Sequence, residues 1–147
     1  MAEPGTKVSD VFEKAIKLMD EQAENGQVQW SDTEEYQNRT LAIVNVLLGE
    51  CYPYSDTRAV AEPGKRPIPR PVTAFEDVVS LDDILARTVL PYGLAAELVK
   101  NDDPALGSYF LQRYQELLNI QGRMLPTAWQ PVEDIYAVTE HRSFARW

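Results

Sequence analysis

The sequence predicts an all-α fold: a small four-helix bundle-like domain with a Pro-rich loop and an extended C-terminal arm. Apolar residues recur at three-to-four spacing in four separate stretches, as helices burying one stripe require. Residues suited to capping, Ser and Asp, stand ahead of those stretches. Between them fall an Asn-Gly pair, an Asp-Pro pair and a run of prolines, each able to stop or redirect a helix. A chain of 147 residues, 44% of them apolar, can bury roughly two-thirds of its unfolded surface in one core. The reading places a helical domain over 1–125, with a long loop at 53–79, and the arm over 126–147.

After a loose, polar start at 1–7, the first helix fits "SDVFEKAIKLMDEQAENG", with Ser9 as cap and Val11, Phe12, Ala15, Ile16, Met19 and Ala23 in period. Asn25-Gly26 stops it. Leu18 and Met19 read as core, because a thioether without other soft ligands nearby fills gaps in packing. The second helix starts at "SDTE", where Ser31 and Glu34 can each satisfy the other's free backbone donor. Tyr36, Ile43, Val44, Leu47, Leu48 and Cys51 form its stripe, which Leu41, Ala42 and Val46 widen. A helix apolar on most faces is central or sits at an interface. Pro53 ends it by disfavouring helical geometry at Tyr52.

Residues 53–79 have no period and carry five prolines with Lys65, Arg66 and Arg70 among them. Such a stretch is either a functional loop or a mobile one. "SLDD" at 80–83 opens the third helix with a box-like cap, and Leu81, Ile84, Leu85, Thr88, Tyr92, Ala95 and Val99 keep the period through Pro91. Pro91 therefore reads as a kink within a continuing helix, and Gly93 as room for neighbouring backbone. Asp103-Pro104 supplies the cap and first turn of the fourth helix. Its apolar side is Leu106, Tyr109, Phe110, Tyr114, Leu117, Leu118 and Met124. Short joins between helices give a bundle.

Composition excludes several classes. A net charge of −9 opposes a surface that grips nucleic acid, which needs Lys and Arg to replace counterions. The longest apolar run, "LAIVNVLLG" at 41–49, is interrupted by Asn45 and falls short of the roughly 20 residues that span a bilayer, so no membrane is expected. A lone Cys51 and a start without a Lys/Arg-led apolar run lead us to expect a chain made inside the cell and without disulfides.

No catalytic, cofactor-binding or metal-binding residues emerge, and the expectation is a protein that is not an enzyme. One His and one Cys, His141 and Cys51, cannot make a metal site alone. Cys51 lies on an apolar stripe and reads as a buried thiol. Glu34, Glu35, Asp82, Asp83, Asp102 and Asp103 all stand at helix starts, where acids favour the positive dipole end. Tyr92, Tyr109, Phe110, Tyr114 and Trp129 lack a matching basic groove and read as core or interface. Lys65, Arg66 and Arg70 make either a solvated turn or a contact for phosphate or an acidic partner.

The arm, "PTAWQPVEDIYAVTEHRSFARW", has two prolines that keep it from extending the fourth helix and a β-prone "IYAVT" able to add to a partner's sheet edge. Its partner-binding residues are expected to be Trp129, Ile135, Tyr136, Val138, Phe144 and Trp147, since buried aromatics dominate interface energetics.

Two stretches, "VFEKAIKLMDEQAENGQVQWSDTEEYQNRTLAIVNVLLGECY" at 11–52 and "LARTVLPYGLAAELVKNDDPALGSYFLQRYQELL" at 85–118, cover about half the chain. Together they resemble the small helical head-to-tail connector (adaptor) proteins of tailed bacteriophages and prophages. The resemblance lies in helix starts and packing residues, not in a catalytic signature. It implies a structural virion protein, made in the host cytoplasm and placed in the neck. Such a protein joins a homo-oligomeric ring of expected twelvefold symmetry beneath the portal protein, beside further neck or tail-completion proteins. DNA then passes through the lumen without specific binding, past a wall expected to be net acidic, with Lys65, Arg66 and Arg70 kept away from it or confined to a narrow band. The competing reading is a soluble helical regulatory or peptide-binding module that uses the Pro-rich loop as its ligand segment.

Overall fold

A computed structural model of the chain describes residues 5–20, 26–28, 30–31, 33–58 and 63–123. Among them are four α-helices and no strands: α1 (Val8–Leu18), α2 (Glu34–Cys51), α3 (Leu90–Val99) and α4 (Pro104–Arg123). The fold is all-α, as the periodicity predicts. Two short helical pieces of other pitch flank these: a 3₁₀ turn at Tyr52–Tyr54 and a π-helical turn at Leu85–Val89.

The centre of the molecule is α3, not α2. The helix α3 packs against all three others, and Leu90, Leu94, Ala95, Leu98 and Val99 on it are buried. The breadth of apolar residues on α2 predicts a helix that is central or at an interface, and the first of these is not what the structure has. Ala42 is exposed and Val46 is 63% exposed, so only Val44, Leu47, Leu48 and Cys51 of the expected stripe are fully buried.

Pro91 lies inside a continuing helix, which runs from Asp83 to Val99. The adjustment is made one turn earlier. An ordinary α-turn would press the proline ring against the Arg87 carbonyl and leave that oxygen without its donor. The turn instead widens over Leu85–Val89, where the Leu90 N–H donates to the Leu85 carbonyl. Lys14 of α1 donates to the Arg87 carbonyl at 3.4 Å. The wider turn also shifts the periodicity. Ala86 and Val89 are buried, whereas Ile84 and Thr88, expected on the apolar face, are exposed.

The α3–α4 hairpin depends on two glycines at close approaches. A Cβ on Gly93 would stand 2.9 Å from the Tyr114 ring and 3.1 Å from Leu47. One on Gly107 would stand 3.0 Å from the Lys100 Cα. Phe110 and Tyr114 are the buried large residues of α4. Leu106, Leu117 and Leu118 are partly buried, and Tyr109 is 55% exposed rather than core. Met124 lies outside the described residues. Asp103 caps α4 as expected, accepting the Leu106 N–H at 3.1 Å, with Pro104 in the first turn. At the same end of the hairpin, Arg39 of α2 donates to the Leu98 carbonyl at 3.0 Å, satisfying an acceptor in the last turn of α3.

Three helix starts lie two residues from the expected caps. The helix α1 begins at Val8, so Ser9 is inside it; the free N–H groups of Val8 and Ser9 donate to the Asp77 and Phe75 carbonyls at 3.0 and 2.9 Å. It ends at Leu18, with Asp20 in the left-handed region (φ 61°), well before Asn25-Gly26. The helix α2 begins at Glu34 with Thr33 as cap, so Ser31 sits in the preceding turn. Gln37 fixes that start by donating to Thr33 Oγ1 at 3.0 Å and to the Trp30 carbonyl. Before α3 the cap is Asp82, which accepts the Leu85 N–H at 2.9 Å; Ser80 is not the cap, and its Oγ is buried without a partner. Tyr52 keeps helical geometry (φ −56°, ψ −40°) despite Pro53, because the chain tightens into the 3₁₀ turn instead of stopping.

Candidate functional site

Four surface features gather the charged residues, and the basic strip at 65–70 is the first. It has no helical structure, yet the segment after it is tied firmly to the helices. Asn45 of α2 clamps Val72 on both sides: its Oδ1 accepts the Val72 N–H at 2.8 Å and its Nδ2 donates to the Val72 carbonyl at 3.0 Å. Asp77 Oδ2 accepts the N–H groups of Thr73 and Ala74 at 2.8 and 3.1 Å. Those bonds hold the Asp77 carboxyl below the usual carboxylate range. The Val79 N–H donates to Thr6, Lys7 and Val78 form an isolated antiparallel bridge, and Phe75 joins Phe12 and Trp30 in an aromatic cluster with centroids 5.0–5.6 Å apart. From this anchored base the strip presents alternating residues. Arg66, Ile68 and Arg70 are exposed, Ile68 at 84%, while Pro67 and Pro69 are half-buried. Arg70 donates to the Val78 carbonyl at 3.4 Å. Lys65 is exposed at the strip's start.

The second feature is a groove of about 250 Å³ between α2 and α3. Ala42, Ile43, Val46 and Leu47 line it, and Glu50 and Glu97 supply its acids. Glu50 is held by Tyr114, whose hydroxyl donates to Oε2 at 2.9 Å, and Cys51 Sγ lies 3.3 Å from that hydroxyl. Burial pushes the Cys51 thiol up to about 11 and raises the Tyr114 phenol above its ordinary value. A thiol protonated at neutral pH and fully buried is a packing group, as its place on the stripe predicts. Glu97 Oε2 pairs with Lys100 at 2.7 Å.

The third is a cleft of about 610 Å³ where Asp56, Asp82 and Asp83 meet Arg70. The carboxylates of Asp82 and Asp83 are engaged structurally. Asp82 Oδ2 accepts from Ser55 Oγ and the Asp56 N–H at 3.3 and 3.2 Å, beyond its capping bond. Asp83 accepts from Thr6 Oγ1 at 3.0 Å and pairs with Arg87 at 3.6 Å. Capping is thus the observed role of Asp82 and Asp103. Asp102 instead accepts from the Tyr36 hydroxyl at 3.4 Å.

The fourth feature was not legible in the sequence. Lys14, Lys17, Arg87 and Arg113 come from α1, the π-helical turn and α4, yet they converge on one cleft of about 530 Å³ floored by Leu18, Pro91, Tyr92 and Leu117. Only the Lys14–Lys17 spacing marks a shared face in the sequence; the other two arrive through packing. Asp83 and Glu116 partly neutralise Arg87 and Arg113.

Trp129, Ile135, Tyr136, Val138, Phe144 and Trp147 lie outside the described residues, as do Ala23, His141 and the whole 126–147 segment. Among the described residues no three His, Cys, Asp or Glu side chains are grouped to hold a metal ion, and no helix is long and apolar enough to cross a membrane. Comparison with known proteins finds no family model, no curated protein and no solved structure that matches the chain.

Proposed function

We propose that this chain is a structural protein of a tailed-phage neck, a ring-forming adaptor that sits between the portal protein and the tail and lets DNA pass. The observation that carries the reading is the stretch 85–118. Its resemblance to connector proteins lies in helix starts and packing residues, and in this chain four residues of that stretch serve the α3–α4 hairpin: Pro91 with its widened turn, Gly93 and Gly107 at close approaches, Pro104 in a capped first turn. The pattern therefore encodes a rigid building block. A net charge of −9 suits a conduit wall that DNA must not stick to. The same reading puts the protein in the virion neck after synthesis in the host cytoplasm, with the 126–147 arm reaching the portal or a neighbouring protomer and tail-completion proteins on the far side.

The test is co-sedimentation of the full chain with isolated portal rings. The chain should pellet with the portal, and truncation after Leu125 should weaken that binding at least tenfold. A chain that stays in the supernatant at every concentration contradicts the adaptor role. The exposed Arg66, Ile68 and Arg70 favour one other reading, a peptide-binding module whose strip is its ligand segment. That module ignores portal rings, so the same experiment separates the two.

A further inference from the structure

We infer that the Arg66–Ile68–Arg70 strip of one copy docks into the α2–α3 groove of the next, as the head-to-tail contact between copies of this chain. The contact deepens the ring-forming reading above and rests on it.

Each half is an exposed surface of unusual composition, although Arg70 donates to its own Val78 carbonyl and, with Ile68, lines the cleft of Asp56, Asp82 and Asp83. Ile68, 84% exposed, stands between two exposed arginines on an extended segment. Val46, 63% exposed, lies in a groove whose acids are Glu50 and Glu97. A void of about 250 Å³ is smaller than the sites that take small-molecule ligands, and its apolar lining suits one branched aliphatic side chain. The lengths also agree. Alternate residues of an extended chain share a face, so Arg66 and Arg70 stand about 13 Å apart. The lining of α2 from Ala42 to Glu50 runs about 12 Å along the helix.

Charge complementarity selects the occupant. Both arginines carry forked donors suited to carboxylates. Tyr114 and Lys100 engage only Oε2 of Glu50 and Glu97, which leaves Oε1 of each to accept. In a chain of net charge −9, a basic apolar strip and an acidic apolar groove are matched to each other.

The two surfaces are also separate. Asn45, which anchors the strip through Val72, lies on a different side of α2 from the Ala42–Val46–Glu50 line. A copy can therefore give its strip to one neighbour and its groove to another. Such a contact is heterologous, and repeated with a rotation that closes it makes a ring.

The test mixes two full-length variants, Ile68→Cys and Val46→Cys, under mild oxidation. Both positions are exposed, and the native Cys51 is fully buried with a thiol pushed up to about 11, which keeps it out of exchange. The 46–68 cross-link should form at least tenfold faster than a control pair joining Ile68→Cys with Ile84→Cys on the exposed side of the π-helical turn. In a second measurement, Ile68→Asp should weaken self-association at least tenfold in sedimentation while its far-ultraviolet circular dichroism is unchanged. Cross-linking no faster than the control, or self-association untouched by Ile68→Asp, overturns the contact. Portal binding is scored separately on the unaltered chain. A 46–68 cross-link without portal binding keeps the contact and removes the adaptor role; portal binding with cross-linking at the control rate does the reverse.

Discussion

The α3–α4 hairpin and the junction between α1 and the 72–79 segment are both well-tied parts of the molecule, but they are held by different kinds of interaction. At the turn of the hairpin the groups that start α4 are close in sequence: Asp103 caps its own helix, and Gly107 packs on Lys100. At the junction they are far apart. The first N–H groups of α1 donate to carbonyls near residue 76, and Asn45 holds Val72 from across 27 positions. A helix whose start is satisfied from within can be read in advance, whereas one satisfied by a distant backbone cannot.

The largest expected effect comes from Phe12, fully buried on α1 and in ring contact with Trp30 and Phe75. Phe12→Ala should cost about 3–5 kcal/mol in chemical denaturation, the usual range for a buried aromatic. A loss below about 1 kcal/mol would show that the junction is not part of the core. Next is Gly93→Val, which forces a branched side chain onto Tyr114 and Leu47. It should cost about 1–3 kcal/mol and broaden the Tyr114 ring signals in nuclear magnetic resonance spectra. An unperturbed spectrum would mean the hairpin tolerates a wider spacing than its glycines imply.

Asn45→Ala sharpens the contrast, because it removes both bonds to Val72 without touching the hairpin. We expect a loss of about 1–2 kcal/mol and faster hydrogen exchange over 72–79, with α4 protection changed only in proportion to global stability. Equal loosening of α4 would erase the distinction between the two regions. The smallest effect concerns Asp77. Its folded value is depressed, so the stability its turn provides is complete above the ordinary Asp value of about 3.9 and is lost as pH falls through the lower folded value. Hydrogen exchange at Thr73 and Ala74 should therefore accelerate on acidification beyond the intrinsic trend, and Asp77→Asn should abolish that pH dependence. A response identical in the two chains would assign it to another group.

The same division explains what the sequence reveals. The fold class, the helix through Pro91, the Asp103-Pro104 start and the burial of Cys51 follow from periodicity and nearest neighbours, and all four are present. The start of α1 does not follow, because Ser9 resembles a cap only while the carbonyls of Phe75 and Asp77 are out of view. The exposure of Ile84 and Thr88 is hidden for a related reason: a single widened turn displaces the pattern that an unbroken period predicts. Of the charged surfaces, the 65–70 strip is visible as a cluster in the chain. The basic cleft of Lys14, Lys17, Arg87 and Arg113 and the acidic groove of Glu50 and Glu97 exist only once helices from different parts of the sequence meet.

The claim that this chain builds a ring beneath a portal is tested most directly by native mass spectrometry of the full chain mixed with isolated portal rings. The account predicts a complex carrying twelve copies per portal ring, with intermediate counts rare because each strip needs the next copy's groove. Portal rings that fly bare beside free chain, at concentrations well above the micromolar range, would contradict it.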